Sequence, residues 1–237
     1  MVVVCMMRDG IPLETTRHLL LDQTLPRVWA HFFHFPIVHA SCIELDGIGM
    51  CFLGDTGTGK STMAAAFSRV GGRIIGDDCL LLDVKKERPA CWPSYASLRL
   101  LPDSFDNIQF NPSLYSSPVA HYTNKTRIAL TTQTRQKTEL NVFILLQPEK
   151  NSDNHHGVAF SQPSKSQCLQ SLLGQSFALD LHDHSFLKKQ FTAFSKIFQS
   201  ALPFYSLRFR RSYSELPQVV DSIREFLLAQ KLTGSAP

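Results

Sequence analysis

The chain has 237 residues, of which 43% are hydrophobic and 10% aromatic, and its formal net charge is +4. This length and apolar content are enough for one packed core, which excludes a chain that is disordered throughout. The weakly basic charge identifies no partner by itself, and no run of about 18 apolar residues is present to span a membrane. We therefore expect a cytoplasmic protein with neither nucleic acid nor a membrane as a partner, while homo-oligomer formation stays open.

The six cysteines agree with this compartment. No two of them form a C-x-x-C pair, and most lie within apolar stretches. Cysteines in such positions are typical of cytosolic proteins, in which thiols stay reduced. We expect buried thiols and no disulfides.

The N-terminal part predicts a short strand followed by a helical segment. Residues 1–7 form a brief apolar run, which a turn at Asp9 and Gly10 ends. Over residues 15–35 the apolar side chains recur at helical spacing. Pro26 lies inside this segment and predicts a kink or two shorter helices.

A hairpin and a helix come next. Residues 37–45 and 49–53 predict two strands joined by a turn at Asp46 and Gly47. A glycine-rich segment follows, and residues 61–70 then predict a helix, which two glycines end.

The remaining chain alternates strands and helices around an irregular middle section. We expect residues 85–135 to be partly irregular and to hold loops that face the substrate. Strands are predicted over residues 73–76, 79–84, 140–146 and 205–209, and helices over 164–173, 184–202 and 216–230.

The glycine-rich segment matches the phosphate-binding pattern G-x-x-x-x-G-K-[ST] in full. It comprises Gly54, Asp55, Thr56, Gly57, Thr58, Gly59, Lys60 and Ser61, and Thr62 follows. Glycines let the backbone curl so that its N–H groups face phosphate oxygens. Lys60 supplies a cation for the β- and γ-phosphates, and the hydroxyl of Ser61 suits Mg²⁺. Because an apolar strand precedes the motif and a helix follows it, we predict that these nine residues bind ATP and Mg²⁺.

An acidic pair and a histidine are the candidate catalytic groups. Asp77 and Asp78 end the strand after the predicted helix, so they lie beside the phosphates if this strand neighbours the one before the loop. Of two adjacent carboxylates, one can contact the metal while the other acts as a base. The repulsion between them raises the pKa of one of the two. His39 reaches the γ-phosphate end if the hairpin pairs as predicted. The alternatives are a solvated turn for the aspartates and a structural role for the histidine.

The segment over residues 39–78 resembles the catalytic core of HPr kinase/phosphorylase. The resemblance rests on the spacing and identity of His39, Gly47, Gly49, the phosphate-binding loop, Asp77 and Asp78. The chain also looks like the shorter HPr-kinase-related proteins, which include lasso-peptide kinases, and the stretch over residues 95–103 adds to this likeness.

The resemblance implies an α/β fold of the P-loop kinase type found in HPr kinase and phosphoenolpyruvate carboxykinase, with a mixed sheet and flanking helices. One such domain is expected over residues 1–237, with a strand and helix segment over 1–36 and the catalytic core over 37–237. The family's chemistry implies that Lys60 and Ser61 bind phosphates and Mg²⁺. It also implies that Asp78 accepts the proton and that His39 assists. Of the acidic pair, Asp77 is then the carboxylate expected near the metal.

The implied activity is ATP-dependent phosphorylation of a serine hydroxyl on a peptide or small protein, and a lasso precursor peptide is one candidate. A P-loop ATPase, a small-molecule kinase and a catalytically silent nucleotide-binding regulator are the alternatives. Six basic residues have two open interpretations, as phosphate clamps or as solvated positions: Arg99, Lys125, Arg127, Arg208, Arg210 and Arg211.

Overall fold

The computed structural model describes residues 4–85, 88–95, 97–108, 116–130, 136–149, 157–200 and 202–232. The helices are α1 (Leu13–His18), α2 (Leu25–Phe33), α3 (Lys60–Arg69), α4 (Pro102–Ile108), α5 (Lys165–Gly174), α6 (His184–Ser195) and α7 (Leu216–Leu232). The strands are β1 (Ile37–Val38), β2 (Ser41–Leu45), β3 (Ile48–Leu53), β4 (Arg73–Asp77), β5 (Leu80–Asp83), β6 (Ala90–Trp92), β7 (Ser97–Leu100), β8 (Ser116–Pro118), β9 (Thr126–Ala129), β10 (Thr138–Glu139), β11 (Val142–Glu149), β12 (Ala159–Ser161) and β13 (Phe204–Arg210).

The largest sheet has six strands in the order β12-β13-β11-β3-β2-β4. Its centre is parallel, since β11 pairs in parallel with both β13 and β3. Towards the edges it becomes antiparallel, through β12 on one side and β2 and β4 on the other. Two smaller sheets, β1-β5-β6-β10 and β7-β9-β8, complete the strands of the described ranges. The predicted α/β class, with a mixed sheet and flanking helices, is confirmed.

The large sheet is buried on both faces. In β3, Met50 and Phe52 belong to one apolar cluster with residues of α3 and α7. Cys51 and Leu53 point to the other face and pack with residues of α5 and α6. A strand covered on both sides has no polar face, which is why its sequence is a continuous apolar run.

The predicted helical segment near the N-terminus forms as one helical run with a widened turn. Between α1 and α2, residues Leu19–Thr24 form a π-helical turn, and the N–H of Leu25 bonds to the carbonyl of Leu20. A proline in a helix clashes with the carbonyl four residues earlier. For Pro26 that carbonyl belongs to Asp22, so the widened turn lies where the proline would otherwise break the helix. The kink predicted at Pro26 therefore takes the form of a π turn.

The strand predicted over residues 37–45 is interrupted at His39. Its first part, β1, belongs to the four-stranded sheet, and its second part, β2, belongs to the six-stranded sheet. The chain changes sheets here because the N–H of His39 bonds to the carbonyl of Gln175, 2.7 Å away, while Val38 forms an isolated bridge with Ser176. His39 thus lies between two sheets.

Three further expectations need correction. Residues 1–3 of the predicted N-terminal strand lie outside the described residues, and Val4 and Met6 are exposed and unpaired in any strand. The middle section over residues 85–135 is more regular than predicted, because it contains β6 to β9 and α4. Most of the cysteines are buried as expected and all six are free, but Cys5 is exposed.

None of the helices in the described ranges is both long and apolar enough to cross a bilayer.

Candidate functional site

The glycine-rich loop connects β3 to α3, as its sequence predicts. Its glycines adopt backbone angles that other residues avoid: φ is +149° at Gly54, +86° at Gly57 and +98° at Gly59, which caps α3. Gly54 is also confined, since a Cβ placed there would lie 2.7 Å from the Thr58 hydroxyl. A loop of this form turns its amides inward at the positive end of a helix, which is an arrangement suited to a phosphate group.

Lys60 is buried at the start of α3, and its ammonium group is turned back onto the loop. Nζ donates hydrogen bonds to the carbonyls of Gly54 at 2.7 Å and Asp55 at 3.2 Å. Burial lowers the pKa of Lys60, while the charges of Asp78 and Asp77 act in the opposite direction. The loop therefore holds a desolvated cation against its own carbonyl groups.

Asp77 is fully buried at the end of β4, and its carboxylate accepts hydrogen bonds from residues of three other elements, β2, α3 and β7. Its Oδ1 accepts hydrogen bonds from the hydroxyls of Ser41 at 2.5 Å and Ser61 at 3.0 Å. Its Oδ2 accepts one from the backbone N–H of Arg99 at 3.2 Å. Burial, together with the charge of Asp78, raises the pKa of Asp77. The contact with Ser61 ties this carboxylate directly to the phosphate-binding motif.

Asp78 follows in the left-handed conformation, with φ of +65°. Its two oxygens face different partners: Oδ1 lies 3.3 Å from Nε2 of His39, and Oδ2 accepts a hydrogen bond of 2.8 Å from Nη1 of Arg99. Burial acts to raise the pKa of Asp78, but the hydrogen bond from His39 and the charge of Arg99 outweigh it and hold the pKa well below its ordinary value. The repulsion expected between the two carboxylates thus raises the pKa of Asp77, and Asp78 stays ionised.

The topology that brings these aspartates to the loop differs from the expected one. Strands β3 and β4 do not neighbour each other, because β2 lies between them. Both pair antiparallel to β2, so they run parallel to each other and their carboxyl ends reach the same edge of the sheet. The predicted proximity therefore holds through an intervening strand.

A buried aspartate that the sequence did not single out organises the far side of the site. Asp22, in the π-helical turn, pairs with Nη2 of Arg99 at 2.7 Å and Nη2 of Arg127 at 3.0 Å. It also lies 2.7 Å from Nδ1 of His18 and accepts a hydrogen bond of 2.5 Å from the hydroxyl of Tyr95. The sequence signal for this residue was a single aspartate that directly follows three consecutive leucines in a predicted helical segment. Arg99 and Arg127 are therefore bound in a buried ion network.

The other basic residues divide into two groups. Lys125 and Arg211 line the same pocket as Lys60. Arg208 is exposed on β13, and Arg210 pairs with Glu215 at 3.1 Å. Lys125 and Arg211 thus line the pocket together with Arg99, whereas Arg208 and Arg210 are not among its lining residues.

Two cavities meet at the candidate catalytic groups. The phosphate-side pocket is lined by Lys60, Ser61 and Thr62, and the Thr62 hydroxyl lies 3.1 Å from that of Ser104. A larger cleft of about 360 Å³ is lined by residues of the N-terminal helical run and of the segment that follows α5. Both cavities are lined by His39, Thr56 and Asp78.

The predicted Mg²⁺ site can be compared with the side chains present at the loop. In the described ranges, no group of three or more His, Cys, Asp or Glu side chains is arranged to hold a metal. Mg²⁺ in phosphoryl-transfer sites does not need such a cage, because it binds through one or two carboxylates together with phosphate oxygens and water. The hydrogen-bonded pair of Ser61 and Asp77 fits that donor set.

Comparison with known proteins finds sequence similarity over part of the chain. No protein-family model matches the chain. A protein of Prosthecochloris aestuarii named HPr kinase/phosphorylase is 30% identical over 86 residues, which is 34% of this chain and 24% of the relative. A protein of the same name from Chloroherpeton thalassium is 32% identical over 84 residues, 33% of this chain and 24% of the relative. Over about a third of its length, the chain is therefore similar to proteins named HPr kinase/phosphorylase.

This relation confirms the resemblance predicted from the motifs. The chain spans about a quarter of the length of these curated relatives. A solved structure, the Hpr(Ser) kinase/phosphatase from Coxiella burnetii, aligns with 82% of this chain and 98% of its own, with a TM-score of 0.43 and 14% identity.

Proposed function

We propose that this protein is a cytoplasmic ATP-dependent kinase of the HPr kinase type, which transfers the γ-phosphoryl group of ATP to a serine hydroxyl on a peptide or small protein. One observation carries the proposal: Ser61 of the phosphate-binding loop donates a hydrogen bond to Asp77, whose neighbour Asp78 lines the same pocket as Lys60. A nucleotide loop and a carboxylate able to receive a proton thus meet in one place.

The loop residues bind the nucleotide. Backbone amides of the loop bind phosphate oxygens, and Lys60 gives up its hydrogen bonds to the loop carbonyls to bind the β- and γ-phosphates. Thr62 lies one residue further into α3, and Lys125 and Arg211 add positive charge from the pocket wall. Ser61 and Asp77 would hold Mg²⁺, which would offset the negative charge of the phosphates.

Asp78 orients the acceptor and takes its proton. The serine oxygen forms a bond to the γ-phosphorus, the bond from that phosphorus to the β–γ bridging oxygen breaks, and ADP leaves with that electron pair. The hydroxyl proton passes to the carboxylate of Asp78. A carboxylate with a low pKa suits this role, because in a loose phosphoryl-transfer transition state the base chiefly orients the hydroxyl. His39 fixes Oδ1 from one side.

Removing one oxygen from the base tests this mechanism. Asp78→Asn is expected to lower kcat for transfer by at least about 100-fold, the range typical of general bases, while the Kd for ATP changes little. Nucleotide binding by calorimetry and phosphate incorporation by mass spectrometry measure the two effects separately. Full transfer activity in this variant would refute the assignment of the base.

The acceptor distinguishes the proposal from its alternatives. A peptide library containing serine, including lasso precursor peptides, is expected to incorporate phosphate with release of ADP. Steady ATP hydrolysis without any peptide would favour a P-loop ATPase, and phosphorylation of a metabolite would favour a small-molecule kinase. ATP binding with no turnover on any acceptor would identify a silent nucleotide-binding regulator.

A further inference from the structure

The segment over residues 211–215 joins β13 to α7 and brings Arg211 to the phosphate-side pocket. Two of its contacts are local. The N–H of Ser212 bonds to the carbonyl of Arg210 at 3.0 Å, and Glu215 pairs with the side chain of Arg210 at 3.1 Å. Local contacts of this kind fix the shape of a loop, but they do not fix its position against the rest of the protein. A contact with another element is needed to hold Arg211 at the pocket.

Tyr213 makes that contact, with α4. Its hydroxyl donates a hydrogen bond to Oδ2 of Asp103 at 2.8 Å and lies 2.8 Å from the hydroxyl of Ser104. Between described residues, no other side-chain hydrogen bond joins residues 211–215 to a distant part of the chain. The ring of Tyr213 packs against the apolar cluster that contains residues of α3 and α7. The hydroxyl and the ring of Tyr213 can therefore be separated by substitution.

A chain of hydroxyl groups continues from Tyr213 to the phosphate-binding motif. The hydroxyl of Ser104 lies 3.1 Å from that of Thr62, which follows Ser61 in α3. A hydroxyl has one proton to donate. Because Tyr213 donates its proton to the carboxylate of Asp103, Ser104 must donate to Tyr213, and Thr62 must donate to Ser104. Asp103 thus sets the direction of three hydrogen bonds that end at the wall of the phosphate-side pocket, which Ser104 and Thr62 both line.

The position of Tyr213 in the chain gives this contact a consequence for Arg211. Arg211 is exposed, and a long charged side chain on a loop loses conformational freedom when it holds an anion. A loop that is already fixed has less freedom to lose, so its arginine binds phosphate oxygens at a lower cost. Tyr213 lies two positions after Arg211 and is not among the residues that line the pocket. Its effect on a ligand in the pocket is therefore indirect.

We propose that Tyr213 is a positioning residue for nucleotide binding: its hydrogen bonds with Asp103 and Ser104 hold the segment over residues 211–215 so that Arg211 faces the phosphates. This inference rests on the proposed function, because it requires that the pocket beside Lys60 binds the phosphates of ATP. It adds a residue that acts on the nucleotide only through another side chain.

Tyr213→Phe tests the proposal, since it removes the hydroxyl and keeps the ring. We expect the Kd for ATP with Mg²⁺ to rise about fivefold, the effect of one hydrogen bond. Inorganic tripolyphosphate should respond in the same way, because the change acts on the phosphates. The matched control is Tyr122→Phe, which removes a hydroxyl from a tyrosine that is 56% exposed and outside the pocket, and should leave both affinities unchanged. Asp103→Ala, at an exposed position, removes the acceptor of the Tyr213 hydroxyl and should also weaken binding.

A double-mutant cycle with Arg211→Gln separates positioning from a general loss of structure. If Tyr213 acts through Arg211, Tyr213→Phe should have no further effect on the Kd once Arg211 is replaced. Calorimetry on the full-length chain measures all four proteins. An unchanged Kd in Tyr213→Phe, or effects of the two substitutions that multiply in the double variant, would overturn the proposal.

The same titrations separate this inference from the proposed function. An unsubstituted protein that binds neither ATP nor tripolyphosphate would refute both. Binding that depends on Tyr213 through Arg211, in a protein that transfers no phosphate to any acceptor, would retain the role of Tyr213 and refute the kinase activity.

Discussion

Arg99 holds Asp78 from the buried side of the site, with Nη1 2.8 Å from Oδ2 of the carboxylate. The other terminal nitrogen of Arg99 lies 2.7 Å from Asp22, so one guanidinium joins the candidate base to the N-terminal helical run. Arg99 is almost completely buried, with 1% of its surface exposed. The orientation of Asp78 therefore depends on a residue more than fifty positions away in the sequence.

Asp22→Asn should destabilise the protein strongly. The substitution leaves the buried guanidinium groups of Arg99 and Arg127 without their shared counter-ion. Breaking a buried ion pair in this way costs about 3–5 kcal/mol. Urea denaturation measures the free energy of unfolding.

The control for this prediction is Asp46→Asn, which removes the partner of Arg224 from a pair that is largely exposed. Exposed pairs contribute about 1 kcal/mol or less. An equal loss of stability in the two variants would contradict the role assigned to the buried network.

Acid should destabilise the folded protein through the same network. The pKa values of Asp22 and Asp78 lie below the ordinary value of 3.8 in the folded state. Their contribution to stability is therefore complete above that value and is lost as the pH falls below it. Asp77 acts in the opposite sense, because its raised pKa makes its protonation favour the folded state as the pH falls.

Because two groups of the network lose stabilising energy and one gains it, we expect a net decrease in the free energy of unfolding as the pH falls from about 4 to about 2. Urea denaturation at each pH measures this decrease. Asp22→Asn should flatten this decrease, because one of the two groups responsible no longer titrates. An unchanged pH dependence in the variant would show that other carboxylates cause the acid sensitivity.

Gly49 and Gly47 lie in the same hairpin but should respond very differently to substitution. A Cβ at Gly49 would lie 2.0 Å from the backbone oxygen of Glu139, so Gly49→Ala forces two strands apart. Overpacking of this kind costs about 1–3 kcal/mol or more. Gly47 has φ of +71° but open space around it, so Gly47→Asn should cost less than about 1 kcal/mol, since asparagine tolerates this conformation. Thermal unfolding of both variants measures the difference, and similar melting temperatures would contradict it.

Arg211→Gln should weaken ATP binding by about tenfold, or about 1.4 kcal/mol, if Arg211 contacts the phosphates. Arg208→Gln is the matched control from the neighbouring strand, because Arg208 is exposed and lies outside the pocket. Calorimetric titration with ATP compares the two. Equal affinities in both variants would remove Arg211 from the binding site.

The sequence is informative wherever the structure is local. The hairpin, the helix that starts at Lys60 and the strand that ends at Asp77 all follow from periodicity and turn residues close in the chain. The placement of β2 between β3 and β4 does not, because strand order depends on pairing between distant segments. The interruption at His39 has the same origin, since Gln175 supplies the carbonyl that bonds its N–H.

The buried ion network also lies beyond local sequence patterns. Arg99 and Arg127 have no feature that separates them from Arg208 until the fold brings Asp22 to them. A charged residue is stable in a core only with its partner, and the partner comes from a helical turn widened before Pro26. The cationic residues could therefore be identified as candidates from sequence, whereas their separation into structural and phosphate-facing groups required the tertiary structure.

The backbone at Asp78 has a consequence for how such a protein can change its activity. A φ of +65° is tolerated well by aspartate and asparagine and poorly by most other side chains. Asparagine can therefore replace aspartate here with little backbone strain, although under the proposed mechanism it could not accept the serine proton as a carboxylate does. The local backbone conformation thus allows the proposed base to be lost by a single Asp-to-Asn substitution while the backbone of the site is kept.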